Sequence, residues 1–442
     1  MGNQLSQFST TTQFYLYGKK HCTRNGWLAA QANYKQPDIL SNNYVDLSLN
    51  NKIYMITGAN SGIGYEITKY LAFKHATVYM LCRNKERGEK VLNELKEITN
   101  NNNLYLIICN CGVEMDIRRA YIEFCTIQNS KTITNNTNSN TTCTNNDINP
   151  VILDGLICNA GALNHKLCKT IEGIEETFST HLLYGVYLLV SLCLPALNNS
   201  SNKNMNMNNS NSNSNSNSKE YKSGSDINQH DNQARVVVVS SGGMYNTKIP
   251  DWKSLTSQDG CKVSYDGNLM YAYCKRAQVV LCEEWTKMYS NPTSNSDPNS
   301  NPTNPNTNNV PKYSNIKFVS CHPGWVETPG VEAAYGESKS YLQPLRSLWE
   351  GAEGIIWLAV VHSDELISGE FYLDRSPQFK YMNSLWDGLA GWVGLGESSG
   401  SGGSNSGSGG SNSGSFTANT QEEVVELMQN LELWSDAHTR PK

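Results

Sequence analysis

One segment constrains the fold more than any other. The apolar run 53–56 passes directly into Thr57-Gly58-Ala59-Asn60-Ser61-Gly62-Ile63-Gly64 and then into a helical pattern. Glycines at these positions let the backbone turn tightly and come close to a pyrophosphate. The helix that follows offers free N–H groups and a positive dipole end. A glycine cluster alone often marks only a turn. The strand before it and the helix after it are what make this a nucleotide loop, with Gly58, Asn60, Ser61, Gly62, Ile63 and Gly64 as its expected contacts.

Such a loop belongs to a parallel sheet, and the remaining sequence is compatible with one. Apolar, β-branched runs at 77–81, 104–109, 153–158, 235–239, 316–321 and 369–373 read as strands. Helical patterns fall at 63–73, 85–98, 177–194, 270–287 and 351–361. Strands without polar alternation are covered on both faces, and strand–helix alternation gives a doubly wound sheet. The expected fold is α/β: a Rossmann-type doubly wound parallel sheet in a single domain.

Asn- and Ser-rich tracts interrupt the chain at 126–149, 198–233 and 290–312, and a Gly/Ser/Asn-rich tract lies at 398–415. Such composition buries too little apolar surface to offset ordering entropy, so these are expected to be disordered inserts. Removing the first three from 52–385 leaves about 250 residues, the size of one large domain. The expected organisation is an arm at 1–50, a nucleotide-binding domain at 51–388, a linker at 389–420 and a C-terminal amphipathic helix at 421–435. Each insert follows a helix and precedes a strand, which places it at the amino-terminal edge of the sheet. Ligands bind at the opposite edge.

Several function classes are disfavoured. The net charge is −5 with no basic stripe, so no nucleic-acid partner is expected. The 13 cysteines are scattered and odd in number, which suits a reducing compartment rather than a disulfide framework. Cys109 and Cys111 form a C-x-C with no second pair, so no metal is expected. The longest apolar run, 182–197, is too short for a membrane span and reads as a core helix.

Two further groups point to redox chemistry. The second strand ends Leu81-Cys82-Arg83-Asn84, without the acid that would bind a ribose 2′-hydroxyl. Arg83 can instead fork onto a 2′-phosphate, which favours NADP(H), with NAD(H) as the alternative. Tyr271 and Lys275 lie four apart on one helix face. A free tyrosine, with a pKa of ~10, is a poor base at neutral pH, and nearby positive charge favours its phenolate. Ser241, at the ligand edge of the fifth strand, is placed to hydrogen-bond a substrate oxygen, with Ser240 as the alternative donor.

In these residues the chain resembles the short-chain dehydrogenase/reductase family over about residues 52–373. The resemblance rests on the 57–64 loop, Cys158-Asn159-Ala160-Gly161, Ser241, Tyr271/Lys275 and His322-Pro323-Gly324-Trp325. A narrower resemblance is to the dehydrogenase/reductase family member 12 proteins. It rests on Ser240-Ser241-Gly242-Gly243-Met244, on Tyr271 to Arg276, on His322 to Gly330, on Asp374-Arg375 and on the terminal acidic helix. The resemblance implies that Asn159, Ala160 and Gly161 line the cofactor, that Pro323, Gly324 and Thr328 hold the nicotinamide side, and that Ser241, Tyr271 and Lys275 transfer protons and orient substrate. It also implies a homodimer. The chain departs from the family in three places. Asn110 replaces the usual aspartate near the adenine, and Cys158 replaces the first asparagine of Asn-Asn-Ala-Gly. The fourth catalytic asparagine has no counterpart in Ser179-Thr180-His181-Leu182-Leu183-Tyr184, a stretch one residue longer than expected. His181 is the candidate substitute there.

The expected function is an NADP(H)-dependent oxidoreductase acting on a small carbonyl or alcohol substrate. Its rival is a catalytically inactive, cofactor-binding interaction protein. Met1-Gly2-Asn3-Gln4-Leu5-Ser6 fits the N-myristoylation pattern. One acyl chain binds membranes only marginally, so the expected location is cytoplasmic with weak membrane association. Lys19, Lys20, His21 and Arg24, or acylation of Cys22, would supply the second signal. The competing reading packs Phe14 to Tyr17 and Trp27 onto the domain.

Overall fold

The computed structural model describes residues 2–40, 48–136, 150–211, 233–256, 265–290, 313–382 and 417–436. The remainders of the four low-complexity tracts, 137–149, 212–232, 291–312 and 398–415, lie outside the described residues.

Among the described residues, seven parallel strands carry the fold: β1 (Ile53–Thr57), β2 (Thr77–Cys82), β3 (Leu104–Ile108), β4 (Gly155–Cys158), β5 (Ala234–Val239), β6 (Ile316–Cys321) and β7 (Phe371–Leu373). A short antiparallel β8 (Ser376–Gln378) closes one edge, in the order β3-β2-β1-β4-β5-β6-β7-β8. Successive side chains on a strand point to opposite faces. Thus Met55, Tyr79 and Leu81 enter one core, while Tyr54, Ile56, Val78 and Met80 enter the other. The first core is covered by α5 (Glu114–Asn136), α7 (Leu189–Asn211) and α9 (Gly267–Ser290), and the second by α3 (Gly62–Phe73), α4 (Lys85–Thr99) and α11 (Leu348–Val360). The strand order reverses at β1, between β2 and β4, and this switch point opens the crevice for a ligand. The doubly wound parallel sheet expected from the sequence is therefore the fold.

The helix expected over 177–194 is longer and less regular. It begins as α6 (Glu176–Phe178), continues as a π-helical stretch over Ser179–Leu188 and passes into α7. A π turn accommodates an extra residue without breaking the helix. The stretch that reads one residue too long in sequence is this one. Pro195 does not end the helix, because it sits on the exposed side where a lost backbone bond faces water. Residues 176–202 are long and apolar enough to cross a membrane, but 72% of the most apolar window is buried in this fold.

Two insert boundaries need correction. α5 runs to Asn136, so the tract expected to start at 126 starts as helix. α7 likewise continues to Asn211, and the first residues of the 198–233 tract are anchored. Ser200 donates to Asp154 at 2.7 Å, and Ser201 donates to the Asn315 carbonyl at 2.8 Å while accepting from the Ala234 amide. Small hydroxyls fit this crowded amino-terminal edge, a role that composition does not reveal.

Both ends of the chain fold back on the domain. α1 (Gly2–His21) and α2 (Arg24–Gln31) precede the sheet. Phe14 and Cys22 are buried with Met244, Tyr245, Trp325 and Leu342 in a third apolar cluster, and Trp27 is buried as well. This packing removes Cys22 from acylation, contrary to the expected second membrane signal. It also engages the basic stretch: Lys19 donates to the Tyr341 and Gln343 carbonyls, and Arg24 pairs with Glu350. The terminal helix α12 (Gln421–Trp434) opens with a capping box of Thr420 and Glu423 and buries Val424, Leu427 and Leu431. Within the linker expected to reach 420, the Thr417 hydroxyl accepts from the Met382 amide at 3.0 Å.

Candidate active site

The glycine loop joins β1 to α3 at the switch point. Gly58 (φ +67°) and Gly62 (φ +55°) take left-handed backbone that other residues adopt at a cost. A Cβ on Gly64 would stand 2.1 Å from the Gly58 carbonyl, so only glycine permits the turn. A Cβ on Gly62 would meet open space, and Ser61 caps α3 without a side-chain hydrogen bond. The first turn of α3 thus presents backbone donors and a positive dipole end to an open cradle, which fits a pyrophosphate. Cys82, at the end of β2, braces the loop from below. Burial pushes its thiol up to about 12, and the nearby Ala59 and Asn60 amides act to hold it down.

Thr57 ties this loop to the next motif. Its hydroxyl accepts from the Asn159 and Ala160 amides at 3.0 and 2.9 Å, and Asn159 Nδ2 donates back to the Thr57 carbonyl at 3.1 Å. Asn159 therefore holds β1 and β4 in register at the ligand edge, and Ala160 and Gly161 follow there. Nothing in the spacing of the motif singled out Thr57. Asn110 shapes the turn after β3: its amide donates to Asp116 at 2.9 Å, and its Oδ1 accepts from Gly112 at 3.1 Å. Arg83 extends into solvent after β2 and pairs with Glu176 at 3.1 Å.

The second half of the site lies on β5 and α9. Ser240 is buried and donates to the Lys275 carbonyl at 2.7 Å, so its hydroxyl is committed to the helix. Ser241 is the serine that meets Tyr271. Its Oγ accepts from the Gly243 amide at 3.2 Å, and Ser241 Oγ and the Tyr271 ring flank Gly243, each 3.8 Å from where a Cβ there would stand. Burial pushes Tyr271 up to about 12, while the neighbouring Ser241 hydroxyl acts to hold it down. Lys275 Nζ lies 5.3 Å from the Tyr271 ring centre and donates to the Val239 carbonyl at 2.8 Å. Burial lowers Lys275 to about 8.

His181 lies within this group. Its ring meets Tyr271 edge to face at 5.3 Å, and Nε2 lies 2.7 Å from the Ala162 carbonyl and 3.0 Å from its amide. Burial and the Lys275 charge push its pKa down to about 3, so the imidazole is neutral. A Cβ on Gly161 would stand 2.3 Å from His181 Cε1, which explains glycine at that position. Nδ1 is buried without a partner.

Pro323, Gly324 and Thr328 follow β6 at the same edge. Gly324 (φ +83°) packs on Arg346, and the Thr328 hydroxyl caps α10 (Pro329–Tyr335) by accepting from Val331 at 3.3 Å. Sequence reasoning missed what surrounds them. Phe14 of α1 packs so close to Gly242 that a Cβ there would stand 2.3 Å from its ring, and Gly18 packs likewise on Trp325. These contacts join residues more than 200 positions apart, which no local pattern signals. Among the described residues, no cluster of three or more His, Cys, Asp or Glu could hold a metal.

The sequence model of short chain dehydrogenases matches residues 52–125. The chain is 27% identical to dehydrogenase/reductase SDR family member 12 of Bos taurus, over 82% of this chain and 87% of that one. It is 30% identical to retinol dehydrogenase 11 of Homo sapiens, over 74% of this chain and 79% of that one. Similar solved structures include a 3-ketoacyl-(acyl-carrier-protein) reductase from Brucella melitensis complexed with NADH. That chain is 16% identical with a TM-score of 0.44, and the match covers 73% of this chain and 96% of the other.

Proposed function

This chain belongs to the short-chain dehydrogenase/reductase family, and from that premise we propose that it is an NADP(H)-dependent oxidoreductase with Tyr271 as its acid/base. The observation that carries the reading is Ser241 beside Tyr271 at the ligand edge, with the Lys275 ammonium 5.3 Å from the Tyr271 ring centre. The 57–64 loop, Asn159, Ala160 and Gly161 would hold the cofactor, with Asn110 at the adenine and Pro323, Gly324 and Thr328 at the nicotinamide. The cofactor supplies a hydride to a carbonyl carbon or takes one from an alcohol carbon. Ser241 orients the substrate oxygen. Tyr271, lifted to about 12, is a neutral proton donor, suited to protonating an alkoxide as it forms during reduction. In the reverse direction it accepts that proton, and Lys275 is the cation that favours its phenolate.

Arg83, with no acid at the end of β2, supports NADP(H) over NAD(H). The substrate is a small carbonyl or alcohol whose identity the site chemistry leaves open. A homodimer and a myristoylated Gly2 giving partial membrane attachment on the cytoplasmic side extend this reading. A second reading, a cofactor-binding protein without turnover, draws on His181, whose Nε2 is occupied by the Ala162 backbone.

Hydride transfer from NADPH and NADH to a panel of carbonyls, followed optically, separates the two. Tyr271→Phe should abolish turnover while cofactor affinity stays within about twofold. Wild-type turnover in that variant overturns the acid/base assignment.

A further inference from the structure

Glu176 joins two loops at the carboxyl-terminal edge of the sheet. One carboxylate oxygen lies 3.1 Å from Arg83 Nη1, and the other accepts from Asn164 Nδ2 at 3.1 Å. A single side chain thus bridges the end of β2 and the loop after β4. The neighbouring backbone is held firmly. Glu175 accepts from the Thr177 and Phe178 amides at 2.9 and 2.5 Å and from the Tyr265 hydroxyl at 2.9 Å. Asn164 in turn abuts α9, the helix of Tyr271 and Lys275: a Cβ on Gly267 would stand 1.8 Å from the Asn164 carbonyl.

We propose that Glu176 is a specificity-determining residue that competes with the cofactor's 2′-phosphate for the Arg83 guanidinium. The inference rests on the reading of Arg83 as the phosphate-binding residue. A 2′-phosphate must take Arg83 from Glu176, whereas a 2′-hydroxyl leaves the ion pair in place. Glu176 therefore weakens binding of the phosphorylated cofactor and not of its counterpart. The pair is partly open to solvent, with the two side chains 68% and 29% exposed, so the competition is modest.

The test is calorimetric titration of the full chain with NADP+, NAD+, 2′,5′-ADP and 5′-AMP. Glu176→Gln retains an acceptor for Asn164 and removes the charge. It should tighten NADP+ and 2′,5′-ADP by about two- to fivefold and leave NAD+ and 5′-AMP unchanged. In an Arg83→Ala background the gain should fall below half. An equal gain there would mean simple through-space repulsion and would overturn the competition. If Arg83→Ala weakens NADP+ but Glu176→Gln changes nothing, the inference fails and the cofactor reading stands. If the wild type binds both cofactors alike and Arg83→Ala affects neither, the cofactor reading fails and takes the inference with it. Weaker NAD+ binding in Glu176→Gln would make Glu176 a ribose acceptor instead, which also overturns the proposal.

Discussion

Arg346 donates both ends of its guanidinium to Asp374, at 2.6 and 2.7 Å, with the two side chains only 1% and 7% exposed. The same guanidinium donates to the His21 and Cys22 carbonyls at 2.7 and 3.0 Å and packs on Gly324. One buried cation therefore joins the N-terminal helices, the segment after β6 and the end of β7. The adjacent Arg375 pairs with Glu353 and stacks on Tyr34 of the N-terminal segment, so the Asp374-Arg375 dipeptide is a structural clasp.

Removing one partner of a buried pair leaves the other charge without compensation, at a cost of about 3–5 kcal/mol. Arg346→Ala should lose stability of that order and release α1. Denaturant unfolding measures the first, and faster proteolytic cleavage within residues 11–21 measures the second. A variant that loses less than about 1 kcal/mol with α1 still protected would show that the clasp does not hold the arm.

Lys275 predicts a pH dependence. Burial lowers it to about 8, below its ordinary value, so folding expels a proton between about pH 8 and 10.5. The penalty for burying the ammonium is fully present below about pH 8 and is relieved as pH rises through that window. Lys275→Met abolishes the term. Whatever its offset, the stability of Lys275→Met relative to wild type should therefore fall between pH 7.5 and 10. A difference that stays flat over that range refutes the buried-ammonium assignment.

His181 is neutral at every pH near neutrality, because its pKa lies at about 3. Between pH 5 and 8 the rate profile should carry no limb from its titration. His181→Ala should still slow turnover by tens of fold, since it leaves the Ala162 amide unpaired and opens space beside Tyr271. His181→Gln, which keeps an acceptor, should recover part of that loss. A limb near pH 6.5 that disappears in His181→Gln would instead make the imidazole a proton carrier.

The sequence carries the strands and the ligand edge because both are local. Apolar runs such as Val236 to Val239 can only be central strands, and the glycine loop leaves few alternatives for what precedes and follows it. The choice between Ser241 and Ser240 depends on how β5 meets α9, which no local pattern encodes. The arm was legible as a packing candidate in Phe14, Tyr17 and Trp27, but not its target, because Arg346 and Asp374 lie more than 300 residues away. α5 escaped notice because its polar face runs without a break into an Asn- and Thr-rich tract. The anchored serines show where composition misleads outright.

Ser200 and Ser201 decide how much of the second insert can be removed. Deleting 198–233 removes the hydroxyls that satisfy Asp154, the Asn315 carbonyl and the Ala234 amide. Asp154 keeps Lys52 and the Ile53 amide, whereas the Ala234 amide loses its side-chain partner at about 1–3 kcal/mol, and the lost bonds to Asp154 and Asn315 add to this. Deleting only 212–232 keeps every one of these bonds, and loop-closure cost varies slowly with length. Both junctions lie at the amino-terminal edge of the sheet, away from the 57–64 loop and from Tyr271. The shorter deletion should therefore keep cofactor affinity within about twofold and stability within about 1 kcal/mol, while the longer one destabilises the domain by several kcal/mol. Thermal unfolding with and without NADP+ reads both quantities. If the two deletions behaved alike, the serines would not be anchors. If the shorter one abolished cofactor binding, the segment would reach the ligand edge after all.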